Sequence, residues 1–150
     1  PQHMILNRND LLSGGLKPHH YCLPVLKREE HRIAVANAAV SGNAKFFLGT
    51  DSAPHPRSQK ESSCGCAGIF SAIGALEIYL QYFEAENAID NFENFAVRNS
   101  CAFYGLKPSD KMITFEKSDY TIPAAFTIEN HELIPLMADQ TISWKILNEL

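Results

Sequence analysis

A chain of 150 residues, 45% hydrophobic and 20% charged, has the size and composition of one ordinary globular domain with a sizeable core. Its formal net charge of −4 removes the electrostatic argument for nucleic acid or an anionic membrane as main partner, and no apolar run nears the roughly 20 residues that a membrane helix requires. Pro1-Gln2-His3-Met4 does not read as a secretory leader, and Cys22, Cys64, Cys66 and Cys101 read as reduced thiols of a cytoplasmic protein.

Residues 1–26 are rich in turn formers (Asn7 to Asp10, Ser13-Gly14-Gly15, Lys17-Pro18) and predict loop, with a short apolar stretch Tyr21-Cys22-Leu23 stopped by Pro24. From Arg28 to Val40 the pattern predicts a helix. Ile33, Ala36 and Val40 share a face, Glu29 and Glu30 lie at its start, and Gly42 stands where a C-cap glycine belongs. Lys45–Gly49 is nearly continuous apolar sequence, as in a strand buried on both faces of a parallel sheet, and it runs into the polar turn Thr50–His55. Helix, buried strand and polar loop in succession indicate an α/β fold. Pro56–Gly68 reads as a second loop. A long helix is expected over Ile69–Glu86, with Ile69, Ile73, Leu76, Leu80 and Phe83 at spacings of three and four. A further helix is expected over Ala88–Asn99, and Cys101–Gly105 reads as a helical turn closed by its glycine. Phe92, Phe95, Phe103 and Tyr104 are expected in the core. Three strand-like pieces follow, Met112–Phe115, Ala124–Ile128 and Thr141–Ile146, and no internal repeat is visible.

Chemistry concentrates at the end of the apolar run. Asp51 stands just past Lys45–Gly49, where α/β barrels place catalytic carboxylates; Asp-Ser-x-Pro is equally good turn chemistry, and the spacing leaves both readings open. His55, four residues on, is close enough to face the same cavity or to be an ordinary turn histidine. Cys64-Gly65-Cys66 lacks the spacing and the second cysteine pair of a structural zinc site, so its small neighbours Ser62, Ser63, Ala67 and Gly68 suggest either a surface loop or one whose backbone approaches a ligand. His19 and His20 are adjacent and point apart. Glu29, Glu30, Arg57 and Lys60 read as solvated charges.

The strings FFLGTDSAPH (46–55), KESSCGCAG (60–68) and HYCLPVLKR (20–28), with PQHMILNRNDLL (1–12) and AFYGLKPSD (102–110), resemble the dihydroorotases of the bacterial single-function type over nearly the whole chain. The resemblance implies an α/β fold that is the C-terminal part of a (β/α)8 TIM-type barrel of the metal-dependent hydrolase kind, with trailing helices and short strands. Residues 1–150 would form one segment of a single barrel domain whose N-terminal portion is absent. Lys45–Gly49 would be the last barrel strand and Tyr21–Leu23 the one before it.

The activity implied is the zinc-dependent, reversible cyclisation of N-carbamoyl-L-aspartate to (S)-dihydroorotate in pyrimidine biosynthesis. Asp51 then matches the family's zinc-ligating aspartate and general base, His55 a residue that binds the substrate α-carboxylate, and Leu23 and Ala67 positions whose backbone groups hydrogen-bond the ring. The family's binuclear Zn2+ centre also uses a His-x-His pair, a carboxylated lysine and two further histidines, and no His-x-His occurs in these residues. The chain alone is therefore expected to be inactive and to need the missing N-terminal portion as its partner. The complete enzyme would be a cytoplasmic homodimer acting on a small molecule, with no nucleic acid and no membrane. A non-catalytic dihydroorotase-like scaffold or assembly subunit, and a cyclic amidase with a different ring substrate, are the competing readings.

Overall fold

The computed structural model describes residues 1–63 and 65–149. Where loop is predicted at the start, two single-turn helices form, α1 (Gln2–Ile5) and α2 (Arg8–Leu12), followed by a 3₁₀ turn at Pro18–His20. The turn formers act here as caps. The Asn7 side chain accepts the Asn9 N–H at 2.8 Å, and the Asn7 N–H donates to Asp10 Oδ2 at 2.6 Å, closing a capping box around α2.

Helix α3 (Glu29–Val40) matches the predicted one, and Gly42 just beyond it takes the left-handed conformation at φ +74°. The buried face differs from the expectation. Ala36 and Ala39 pack inward, whereas Ile33 remains 43% exposed.

Neither Lys45–Gly49 nor Tyr21–Leu23 forms a strand. A strand exists through pairing, and among the described residues no neighbouring strand runs beside either segment. Their backbone groups bond elsewhere: the Leu48 N–H donates to Phe95 O, and Tyr21 O accepts the Gly68 N–H, both at 2.9 Å. Parallel pairing survives only as isolated bridges, Ser52 with Ile69 and Phe70 with Pro135. These bridges delay the following helix. After the short α4 (Arg57–Lys60), α5 runs over Ala75–Ala85 rather than from Ile69, with Gly74 at φ +74° as its N-cap.

A 3₁₀ turn at Ile89–Asn91, a π-helical stretch at Asn94–Arg98 and α6 (Asn99–Tyr104) come next, and Gly105 closes α6 at φ +66° as expected. Phe92 and Phe95 are buried. Phe103 and Tyr104 are not: at 71% and 64% exposure they flank Phe47, ring centroids 5.3 and 5.9 Å away, because α6 projects its last turn past the core.

The C-terminal strands nest in antiparallel pairs: β1 (Ile113–Glu116) with β6 (Lys145–Glu149), β2 (Tyr120–Thr121) with β5 (Thr141–Ile142), and β3 (Phe126–Ile128) with β4 (His131–Leu133). The predicted strand Thr141–Ile146 breaks at Ser143-Trp144 because side chains of α5 capture that stretch. The Ser143 N–H donates to Gln81 Oε1 at 2.7 Å, and the Trp144 ring N–H to Glu84 Oε2 at 3.0 Å.

Helix α5 supplies both halves of the core. Tyr79, Leu80 and Phe83 pack with Met4, Ala36, Ala39, Phe92 and Phe95, while Ile78 joins Leu11, Cys22, Leu26, Ile69, Ile122, Leu136 and Ile142. Each such large apolar side chain contributes roughly 1.5–3 kcal/mol when fully buried. No helix of the described residues is long and apolar enough to cross a membrane.

Candidate functional site

Hydrogen bonds pin the chain on both sides of Asp51. The Tyr79 hydroxyl on α5 donates to Gly49 O at 2.8 Å, Ser71 Oγ to Thr50 O at 2.7 Å, and the Ala53 N–H to Ile69 O at 3.0 Å. Ser52 Oγ accepts the N–H groups of Ser71 and Ala72. Burial pushes the Tyr79 phenol up to about 12, so it remains a donor throughout the ordinary pH range. Asp51 itself sits at φ +47°, a left-handed conformation that a short polar residue tolerates.

The Asp51 side chain does not cap the following turn. Among the described residues the one group that donates to its carboxylate is the side-chain amide of Gln2, whose Nε2 lies 3.4 Å from Oδ2 and 3.5 Å from the Asp51 carbonyl. Gln2 is 1% exposed, and its Oε1 has no hydrogen-bond partner. Asp51 opens onto a cavity of about 340 Å³ shared with Gln2, His3, Phe46 and Tyr79. Burial raises the Cys22 thiol above its usual range, and the Asp51 carboxylate adds to that rise.

His55 and Ala67 lie against Gly68 instead, with Leu23 two residues beyond its partner Tyr21. A Cβ on Gly68 would stand 2.9 Å from the His55 ring carbon Cδ2, so bare backbone and imidazole are in close approach. The Gly68 N–H donates to Tyr21 O, which ties the Ala67 loop to the segment bearing Leu23. Leu23 is 62% exposed, and Ala67 and His55 are half-buried. His55 lines a small recess with His19, Lys60 and Gly68 and does not line the cavity of Asp51, so the shared cavity that their spacing left open is not formed by these residues. Between the two residues the chain is pinned by the Ser52–Ile69 bridge.

Lys60 corrects another expectation. It is 3% exposed, and its ammonium donates to three backbone carbonyls. Arg57 is solvated as expected, paired with Glu61 and Glu132. Neither Gln2 nor Lys60 stood out in the sequence, since the partners Asp51 and Tyr21 lie 49 and 39 positions away.

The described residues do not by themselves make up a zinc centre. Among the described residues no three histidine, cysteine, aspartate or glutamate side chains gather, and the neighbour of the Asp51 carboxylate is an amide donor rather than a ligand. Cys22, Cys66 and Cys101 are free thiols, and Cys64 lies outside the described residues.

No family model matches the chain. Solved structures do: it superposes on a dihydroorotase from Saccharomyces cerevisiae in complex with 5-fluoroorotic acid with a TM-score of 0.90 at 32% identity, and on one from Campylobacter jejuni with a TM-score of 0.87 at 31%. These matches cover 97% of this chain and 41% and 42% of the solved chains. In class, the fold is that of the C-terminal part of a cyclic-amide hydrolase. Curated relatives narrow this further. A dihydroorotase of Laribacter hongkongensis is 53% identical over 146 residues, and the mitochondrial dihydroorotase of Arabidopsis thaliana 53% over 147. The chain is a homologue of the dihydroorotases, matching the C-terminal portion of that family and spanning about two-fifths of the length of these relatives.

Proposed function

We propose that this chain forms one wall of a dihydroorotase active site, in a complete cytoplasmic protein built as a (β/α)8 barrel, in which dihydroorotate and N-carbamoyl-L-aspartate interconvert. One observation carries the reading: Asp51, within a stretch that matches the relatives, faces a cavity from a braced backbone, its carboxylate met among the described residues by the Gln2 amide alone. Two Zn2+ ions would complete the site, with most donors outside these residues and Asp51 the one ligand from this chain.

The work of this chain is proton transfer and orientation. Asp51 takes a proton from the water whose oxygen bonds to the ring carbonyl carbon. It returns that proton to the ring nitrogen as the carbon–nitrogen bond breaks, so the carboxylate ends as it began. Cyclisation runs the same steps backward. His55 binds the substrate carboxylate, while backbone groups of Leu23 and Ala67 hold the ring. Gly68 suits this role, since its bare backbone lets the His55 ring pack directly against the Ala67 loop.

The test is dihydroorotate hydrolysis by the full-length protein that contains this chain, loaded with zinc. Asp51→Asn lowers kcat by more than about 100-fold, the usual scale of a lost general base. His55→Ala chiefly raises KM. Undiminished turnover by Asp51→Asn would overturn the reading, and an inert wild-type protein would favour the scaffold.

A further inference from the structure

A buried lysine next to the substrate-facing loop is accounted for neither by core packing nor by the proton transfer above. Lys60 ends α4, a single turn between His55 and Ala67, and its aliphatic stem runs inward until the residue is 3% exposed. Among the described residues no carboxylate pairs with it. Its Nζ lies 2.8 Å from Tyr21 O, 2.8 Å from Cys66 O and 2.6 Å from Gly68 O. An ammonium carries three protons, and three acceptors use them all.

The placement of those carbonyls is informative. Cys66 and Gly68 flank Ala67, and Tyr21 lies two residues before Leu23. Tyr21 O also accepts the Gly68 N–H, so one carbonyl serves both the loop and the lysine. Turning three carbonyls toward one ammonium fixes the Cys66–Ala67 and Gly68–Ile69 peptide planes and anchors the start of the Tyr21–Leu23 segment, while the Gly68 N–H bond to Tyr21 O holds the Ala67–Gly68 plane between them. Peptide planes are rigid, so fixing those carbonyls also fixes the direction of the neighbouring N–H groups. Burying an unpaired cation is costly, and desolvation lowers the affinity of Lys60 for its proton. The fold meets that cost with carbonyl dipoles and the face of the Tyr21 ring, whose centroid lies 5.8 Å from Nζ, at a junction where the Gly68 N–H bond to Tyr21 O also joins the two segments.

We infer that Lys60 is a positioning residue that holds the backbone groups of Leu23 and Ala67 in the geometry needed to grip the substrate ring. The inference rests on the proposed dihydroorotase reading, and it assigns Lys60 no proton transfer. Lysine is specific to the task. The planar fork of arginine cannot direct three donors at one converging set of carbonyls, and methionine reproduces the stem without the charge.

The experiment uses the complete zinc-loaded enzyme. In Lys60→Met and Lys60→Arg, KM for dihydroorotate rises about tenfold or more while kcat stays within about threefold, since only uniform ring binding is lost. The pH dependence of kcat is unchanged, because Asp51 is untouched. A folded variant with KM within about twofold of wild type overturns the inference, as does an equal fall in kcat and kcat/KM. Asp51→Asn, run alongside, separates the two readings: if it stays active the dihydroorotase reading fails, and if it is dead while Lys60→Met keeps its KM only the Lys60 inference fails. Should neither Lys60 variant fold, acylation of wild-type lysines followed by peptide mapping decides. Lys60 then reacts at least about tenfold more slowly than exposed Lys107 and Lys111, and more slowly again with saturating dihydroorotate. Labelling that does not change with substrate overturns the inference.

Discussion

Gln2 reaches across 49 positions of sequence to place its side-chain amide nitrogen 3.4 Å from Asp51 Oδ2. The contact is neutral to anionic and longer than an ideal hydrogen bond, so it orients the carboxylate without neutralising it. Removing it frees the carboxylate to rotate out of the cavity. In the complete enzyme, Gln2→Ala therefore lowers kcat for dihydroorotate by roughly 3- to 10-fold, the scale of one net hydrogen bond. Steady-state kinetics checks this, and an unchanged kcat would show that Asp51 is held by other means.

Phe83 carries the core between α5 and the helical stretch that follows it. It is fully buried, with ring centroids 5.4 Å from Phe92 and 5.1 Å from Phe95. Truncation leaves a cavity that two aromatic rings cannot close, so Phe83→Ala costs about 3–5 kcal/mol of stability. In urea denaturation the midpoint moves down while the slope stays the same.

What the sequence revealed and what it hid divide along the range of the interactions. The glycines that close α3 and α6 were legible, because a left-handed terminal residue is a local requirement. Asp51 was legible as a candidate because it follows an apolar run. That run was misread as a strand, since pairing depends on chain that is far away in sequence or outside these residues. Phe103 and Tyr104 were misplaced for a similar reason: aromatic composition implies burial only if something covers the helix that carries them, and here Phe47 touches them and leaves both exposed. Lys60 looked solvated because one of its acceptors, Tyr21 O, lies 39 positions away. No local pattern announces such a contact.

Glu29 contributes to acid stability. Hydrogen bonds from Arg32 and then Asn7, with Arg32 meeting both carboxylate oxygens at 2.8 and 2.7 Å, bring the Glu29 carboxyl from an ordinary 4.5 down to about 2. A carboxyl depressed in the folded state adds stability that is fully present above its unfolded value and is lost as pH falls through the folded one. The window therefore runs from about 4.5 down to about 2. Across it the thermal midpoint of the protein falls. Glu29→Gln melts below wild type at neutral pH, and the gap narrows as acid is added. Glu61 and Glu84 are depressed too, so some acid sensitivity persists in the variant. Thermal melts at a series of pH values measure the gap; one that stays constant down to pH about 2 contradicts the account.

Gly68 offers the sharpest test of the site's geometry, with Gly65 in the same loop as its control. Both have positive φ, +152° and +54°. They differ in what a side chain would meet. At Gly65 an added Cβ finds nothing nearer than Lys60 O at 3.8 Å, an ordinary contact. Gly65→Ala thus carries only left-handed backbone strain, about 1–2 kcal/mol. At Gly68 the same atom falls 2.5 Å from the Ala53 carbonyl oxygen and 2.9 Å from the His55 ring. Ala53 cannot yield easily, because its N–H is bonded to Ile69 O. Backbone strain and overpacking then add, and Gly68→Ala costs about 2–5 kcal/mol. The clash also pushes His55 away from the Ala67 loop, so any Gly68→Ala enzyme that still folds has a higher KM for dihydroorotate, whereas Gly65→Ala does not. Denaturant titration and kinetics on the paired variants measure both effects. Equal behaviour of the two would mean that the loop and the histidine do not meet.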